Sequence, residues 1–289
     1  MKLCFNFIAR SFRFISQEFL YGLHFLALGA AAIVFSVQVI IGIRLGLIYP
    51  IIIYLVAYDN YLYNRYREIK LDTVSIPNRA NHLRKYYSFS PLILAFTIFI
   101  LFFLLVLDNN IRVIWYVLFL LLGGFFYTEF IKGLTKKIPL FKNFFVAFLW
   151  TFPVLFIPFY YSIPFNTLII IFSIFVFMKT FVINCFFDFK DVKVDSEKGL
   201  KTMPVIFGVK NSVYLLGILS SLSALFIISM IIERFVPFYT SFLLFSYLFN
   251  LYCLRKSILG KLSFSNLYFV AGMEFIFWPV LIIIGKIII

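Results

Sequence analysis

Charge is what this sequence has least of. Only 13% of its 289 residues are Asp, Glu, Lys or Arg, about half the ~25% share of an ordinary soluble domain. That shortage excludes a soluble globule. Histidine is scarcer still. His24 and His82 are the only two, they form no ligand pair, and zinc chemistry or a Ser-His-Asp relay has no support from them. The three cysteines, Cys4, Cys185 and Cys253, show no CxxC spacing and read as packing thiols. Neither a G-x-G-x-x-G nor a Walker A loop occurs, so the usual glycine scaffold for a nucleotide is missing. No small-residue cleavage site follows the first apolar run, which therefore reads as a retained helix. An Arg- and Ser-rich transit segment is also missing, which favours a bacterial inner membrane over an organelle.

What the sequence does have is apolar length. Hydrophobic residues make up 63% and the mean hydropathy is +1.03, the composition of an integral membrane protein. The 42 Phe read as lipid-facing bulk. Apolar runs of about 20 residues match the reach of a helix across hydrocarbon. They predict nine spans at 20–42, 46–64, 90–107, 112–131, 143–161, 166–187, 211–232, 237–254 and 266–286 in one all-α transmembrane domain, 1–289. Ahead of them, Ile8, Phe12, Ile15 and Phe19 recur at helical spacing while Arg10, Arg13 and Gln17 fall elsewhere. Residues 1–18 thus read as an amphipathic helix in the membrane interface.

The basic residues give the orientation. With a cytoplasmic N-terminus, the tail and the loops near 65–89, 132–142, 188–210 and 255–265 hold 21 of 26 Lys and Arg, against Arg44, Arg112, Arg234 and Lys286 opposite. This positive-inside pattern supports nine crossings. It also accounts for the net charge of +14 without nucleic acid, which would need a basic soluble face.

Carboxylates gather in two places, both at cytoplasmic helix ends. In "DFKDVKVDSEKGLKTMP", Asp188, Asp191 and Asp195 are spaced i, i+3, i+7, one face of a helix that continues past the membrane. Lys190, Lys193, Lys198 and Lys201 are interleaved, so a solvated, salt-bridged helix end is an equal reading of this stretch alone. The second cluster shifts the balance. In "YDNYLYNRYREIKLDTVSIPNR", Asn64, Glu68 and Asp72 run i, i+4, i+8, again one face. Oxygen-only donors select a hard cation such as Mg²⁺, and magnesium commonly bridges a few carboxylates to substrate phosphates. The expected ligand is a phosphorylated molecule whose remainder is at home in lipid.

These residues carry a resemblance. Asn64-x3-Glu68-x3-Asp72 followed by Pro77-Asn78-Arg79, and Asp188-x2-Asp191-x3-Asp195-x3-Gly199-x-Lys201-Thr202-x-Pro204, resemble the UbiA superfamily of intramembrane prenyltransferases. The segment "YTEFIKGLTKKIPLFKN", Tyr127 to Asn143, is similar to that family's loop between the fourth and fifth helices. The resemblance implies a central cavity open to the cytoplasmic side. It implies a polyprenyl diphosphate bound through Mg²⁺, its isoprenoid tail between the helices, and transfer of the prenyl group to a lipophilic, aromatic acceptor such as a phenol or quinone precursor. By position it implies metal-side roles for Asn64, Glu68, Asp191 and Asp195 with Asp72 and Asp188 supporting, and diphosphate contacts from Arg79, Lys137, Lys142 and Lys201. Glu68 stands where the family usually has Asp, and Pro77-Asn78-Arg79 departs from its Asn-Arg-Pro order. Some relatives cyclise the substrate instead, so a terpene cyclase is the rival enzyme. A transporter or lipid-binding protein is the rival of another class, but it predicts ionisable groups through the membrane's depth.

Three ionisable residues fall inside predicted spans: Asp59, Lys179 and Glu274. Such groups face a cavity or a partner. Asp59 and Lys179, with Tyr127, are candidates for the acceptor site, although Asp59 points away from the Asn64 face. Arg84 and Lys85 read as positive-inside residues meeting lipid headgroups.

Overall fold

The computed structural model describes residues 14–108, 111–259 and 263–289, all-helical with no strand among the described residues. The principal helices are α1 (His24–Ile41), α2 (Ile48–Ser75), α3 (Pro77–Arg84), α4 (Ser90–Asp108), α5 (Ile111–Glu129), α6 (Phe141–Leu155), α7 (Ile157–Tyr161), α8 (Thr167–Phe187), α9 (Val192–Glu197), α10 (Met203–Ile232), α11 (Leu244–Leu259), α12 (Phe264–Gly272) and α13 (Glu274–Ile288). Eight helical stretches are long and apolar enough to cross a membrane, from His24–Ile41 to Phe264–Ile288. They correspond to eight of the nine predicted spans. The remaining one is α2, whose 28 residues reach about 42 Å. Its second half, "DNYLYNRYREIKLD", is too polar for that set.

Local chemistry explains how the helices are placed. α1 carries Ala27, Gly29, Ala30 and Ala31, small residues that let neighbours approach from several sides. It is accordingly the central helix, packed on α2, α6 and α13. It ends at Gly42, whose φ of 74° supplies a left-handed cap donating to the Gln38 carbonyl. α4 is peripheral. Phe96, Phe99 and Phe103 form an exposed stripe along it, suited to lipid. α2 packs on α4 and α5, α6 on α8, and α8 on α10. At one end, Val34, Val37, Tyr49, Ile52, Val117 and Val154 belong to one densely buried core. The motif end contains the cavity described below.

Two expectations need adjustment. The helix carrying Asp188 does not run on past the membrane unbroken: a 3₁₀ turn, Asp188–Asp191, separates α8 from α9. α2 likewise has a non-helical residue at Glu68, φ −114° and ψ 15°. Each motif thus bends at one of its own acidic residues, which brings side chains of different turns together. The interfacial helix expected over 1–18, with Ile8, Arg10, Phe12 and Arg13, lies mostly outside the described residues, as does Cys4. Residues 14–21 are helical, and Phe14 and Ile15 are exposed.

Candidate functional site

A cavity opens among α1, α2, α5, α6, α8 and α12, with two chemically distinct ends. Asn60, Asn64, Arg65, Arg79, Lys132, Lys142, Asn143, Asp188, Lys190 and Asp191 line the motif end. Ala30, Ile53, Val56, Ala57, Leu120, Leu149 and Pro153 line the other. Tyr61, Tyr127, Trp150 and Tyr268 also contribute to the wall. Gly124 allows one close approach: a Cβ there would lie 2.0 Å from Asn60 Oδ1. Asn60 instead fits against α5 and donates to the Leu120 carbonyl at 3.2 Å.

Each carboxylate of the two motifs is held by a cation. Arg79 donates from Nε and Nη2 to the two Asp72 oxygens at 3.0 and 2.6 Å, a bidentate fork between buried groups. Arg65 reaches the same Asp72 at 2.7 Å and also donates to Asn64 Oδ1. Asn64 in turn donates to Thr128 Oγ1 at 3.3 Å, tying α2 to α5. Glu68 receives Lys132 Nζ at 2.5 and 2.7 Å. Lys142 Nζ lies between Asp188 and Asp195, at 2.8 and 2.9 Å. Asn143 donates to Asp188 at 2.8 Å, and Lys190 pairs with Asp191. Lys190 and Arg79 also lie over the Tyr268 ring, 4.9 and 5.5 Å from its centre. Burial pushes the Lys132 ammonium below its ordinary pKa even though Glu68 opposes the shift, with Lys142 and Arg65 adding to it.

The first motif and the second therefore meet across one cavity, as a paired site requires. Asn64, Arg79, Tyr127, Lys142, Asp188 and Asp191 line it directly. Glu68, Asp72 and Asp195 stand just behind, each on a cation that does line it. Lys137 and Lys201 lie outside: both side chains are exposed, and Lys201 Nζ donates to the Lys137 carbonyl at 3.5 Å. Their segments are nonetheless joined through the backbone. Lys201 N donates to Thr135 O at 3.0 Å and Leu140 N to Lys201 O at 2.9 Å. Gly199 permits this return by taking φ 66°, which gives the Gly-x-Lys-Thr run a physical reason: it staples the loop bearing Lys132 and Lys142 to the second motif.

Asp59 is buried but faces α4, where Thr97 donates to it. Lys179 is in a separate cluster, at 2.7 Å from Glu274 and donating to Asn250 at 2.6 Å. Asn250 donates to Glu274 and receives Ser220, so four helices share one buried polar knot. Arg84 and Lys85 are exposed. His24 and His82, unpaired as metal ligands, share another partner. Glu18 Oε2 lies 2.7 Å from His82 Nε2, and Glu18 Oε1 lies 3.5 Å from His24 Nε2.

Sequence reasoning missed Arg65, Lys132, Asn143 and Tyr268, whereas Lys190 stands among the interleaved lysines it names and does pair with a motif carboxylate. Arg65 was legible as a cation adjoining a motif residue. Tyr268, from a helix far along the chain, carried no spacing cue.

Among the described residues no three His, Cys, Asp or Glu side chains converge into a metal-holding group. The donor chemistry nevertheless fits Mg²⁺. Asn64, Asp188 and Asp191 are oxygen-bearing residues that line the cavity, and Asn143 Oδ1 is buried there with no hydrogen-bond partner among the described residues.

Comparison with known proteins gives the family and the fold. The profile of the UbiA prenyltransferase family matches residues 19–272. Two solved structures resemble the fold. One is the apo structure of a UbiA homolog from Aeropyrum pernix K1, 13% identical, covering 92% of this chain and 97% of that one, with TM-score 0.66. The other, from work on digeranylgeranylglyceryl phosphate synthase in membranes, is 15% identical and covers 96% of this chain and 100% of that one, with TM-score 0.59. At these identities the likeness is one of fold. No curated protein sequence matches significantly.

Proposed function

Because this chain belongs to the UbiA prenyltransferase family, and so to intramembrane prenyltransferases, we propose that it transfers a prenyl group from a prenyl diphosphate to a lipophilic, aromatic acceptor in a Mg²⁺-dependent reaction. The observation that carries the proposal is the ring of paired cations and carboxylates at one end of an apolar cavity. A diphosphate needs the first and an isoprenoid tail the second. We count α2 as a ninth span of a single transmembrane domain, and the basic loops favour a cytoplasmic motif end.

In this reading Asn64, Glu68, Asp72, Asp188, Asp191 and Asp195 form the metal side. Mg²⁺, when bound, neutralises charge on the departing diphosphate. Lys142, Lys132, Arg65, Arg79 and Lys190 are placed to turn from carboxylate to phosphate oxygens as these arrive, so that positive charge already stands where the departing diphosphate gains negative charge. We assign no direct diphosphate contact to Lys137 or Lys201, whose segments shape the loop. The diphosphate leaves with the electron pair of its bond to the allylic carbon, which lies against a wall of Tyr61, Tyr127 and Trp150, where ring faces stabilise positive charge and apolar walls keep water from it. An acceptor docking beside these rings attacks that carbon, and the proton it loses passes to the released diphosphate. The deep ionic groups are few, Lys179 paired with Glu274 and Asp59 taking a hydroxyl from Thr97, which disfavours a transport path.

The test is release of inorganic diphosphate from labelled prenyl diphosphate by purified protein, with Mg²⁺ and with EDTA. Metal-dependent release only when a phenol or quinone precursor is added supports transfer. Release without acceptor supports cyclisation, and no release under any condition overturns the proposal.

A further inference from the structure

The apolar arm of the cavity is blind. On the four walls that carry the apolar lining, the turn beyond the last lining residue is sealed: Val34 beyond Ala30 on α1, Tyr49 beyond Ile53 on α2, Val117 beyond Leu120 on α5 and Ile157, four residues past Pro153, are all 0% exposed. The floor is also fixed in place. Pro153 sits inside α6 shortly before that helix ends and α7 begins, and the Tyr49 hydroxyl donates to its carbonyl at 2.7 Å. Tyr49 is stacked on Tyr160, ring centres 4.5 Å apart. A backbone carbonyl satisfied by a buried tyrosine in a bilayer-embedded bundle resists displacement, since no water is there to replace the bond.

The depth follows from helix geometry. From Asn143 to Pro153 on α6 is ten residues and from Asn60 to Ile53 on α2 is seven, about 15 and 10 Å at 1.5 Å per residue. An extended isoprene unit, four carbon–carbon bonds long, spans about 5 Å, close to one helical turn. The arm below the polar end is thus two to three turns deep. Resting on the prenyl-transfer reading above, we infer that the donor carries two or three isoprene units, with Ile53 as the floor and Ala57, one turn nearer the mouth, as the residue whose size sets the usable length.

The experiment measures kcat/KM for diphosphate release with donors of two, three, four and eight isoprene units, alongside the melting-temperature shift produced by the corresponding non-reactive thiolodiphosphates. Wild type is expected to lose at least tenfold in kcat/KM between three and four units, a step typical of a pocket asked to hold one group too many. The thermal shift should fall at the same length. Ala57→Phe fills one turn of the arm and moves that break to between two and three units. Ile53→Ala narrows the gap between three and four. Equal use and equal binding of three-, four- and eight-unit donors by wild type overturns the inference while leaving transferase activity standing. So does an Ala57→Phe protein that melts like wild type yet keeps its length preference. Conversely, a length break in the thermal shift with no turnover of any donor sustains the inference and removes the catalytic reading. Absence of both binding and turnover overturns the two together.

Discussion

Lys142→Met is the most informative perturbation of the site. Lys142 Nζ is the shared partner of Asp188 and Asp195, at 2.8 and 2.9 Å, and its side chain is 9% exposed. Removing it leaves two carboxylates facing each other across less than the sum of those distances, away from water. Breaking a buried pair by deleting one partner costs about 3–5 kcal/mol, because the remaining charge is uncompensated. For a chain of this size, at about 2–4 °C per kcal/mol, the melting temperature in EDTA should fall by roughly 6–20 °C. Mg²⁺ should then recover part of the loss, because it can bind the oxygens that the lysine vacated. At a hundredfold excess over its Kd the recovery is about 2.7 kcal/mol. Wild type should respond to Mg²⁺ far less, since its lysine already fills that role. The assay is thermal unfolding of purified protein in detergent, with EDTA, with Mg²⁺, and with Mg²⁺ plus inorganic diphosphate. Adding Asp188→Asn to Lys142→Met removes the repulsion, and the pair should lose less than the sum of the single changes. A Lys142→Met protein that melts within a degree or two of wild type, or that gains no more from Mg²⁺ than wild type does, refutes the reasoning.

Other outcomes follow from the same contacts. Lys179→Met should destabilise by about 3–5 kcal/mol, read by thermal unfolding. Pairing it with Glu274→Leu should recover most of that loss, with diphosphate release by the folded protein unchanged, because neither residue lines the cavity. Lys132, whose ammonium is pushed below its ordinary value by burial, should react with an amine-directed acylating reagent at lower pH than exposed Lys70. Glu68→Gln removes the group that opposes this shift and should move the reactive window lower still, as mass spectrometry of the labelled peptide would register. Burial alone would raise the Glu18 carboxyl, but hydrogen bonds with His24 and His82 hold it below its usual 4.5. A depressed carboxylate stabilises above its unfolded pKa and loses that contribution as pH falls through its folded one. Limited proteolysis around residues 14–21 should therefore stay slow near neutrality and quicken below pH 4.5, whereas Glu18→Gln should be cut faster at neutral pH.

Most of the helical frame was legible because apolar length is a strong signal. The predicted span 166–187 and α8 (Thr167–Phe187) differ by one residue at one end, since a polar Asn166 cap and an acidic Asp188 bracket an unbroken apolar run. α2 was less legible. It begins as a span and continues as a charged helix to Ser75, so hydropathy stopped at residue 64 while the backbone did not. Within the site, periodicity found the carboxylates but not the bends at Glu68 and at Asp188–Asp191. Lysines were harder still. Lys132, Lys137, Lys142 and Lys201 all sit in basic segments between spans and look alike in sequence. What separates them is whether a 3₁₀ turn or a backbone bond to Lys201 aims the side chain inward, and that is decided by contacts between loops more than 60 residues apart in the chain.

The charge balance of the site suggests how these parts work together. Glu68, Asp72, Asp188, Asp191 and Asp195 face Arg65, Arg79, Lys132, Lys142 and Lys190, five against five, each carboxylate within salt-bridge distance of a cation. Without ligand the cluster is neutral, which is what allows ten ionisable groups to be gathered at the edge of an apolar cavity. Mg²⁺ alone would add positive charge to a set of carboxylates already paired, and diphosphate alone would add negative charge to cations already engaged. Together they largely offset one another, and each frees the partner that the other needs: the metal takes carboxylate oxygens from the lysines, and those lysines turn to phosphate. The two ligands are therefore coupled, each raising the affinity of the other by the same factor. Lys142→Met breaks that symmetry by removing one cation, and so the variant should respond to Mg²⁺ alone while wild type waits for Mg²⁺ and diphosphate together.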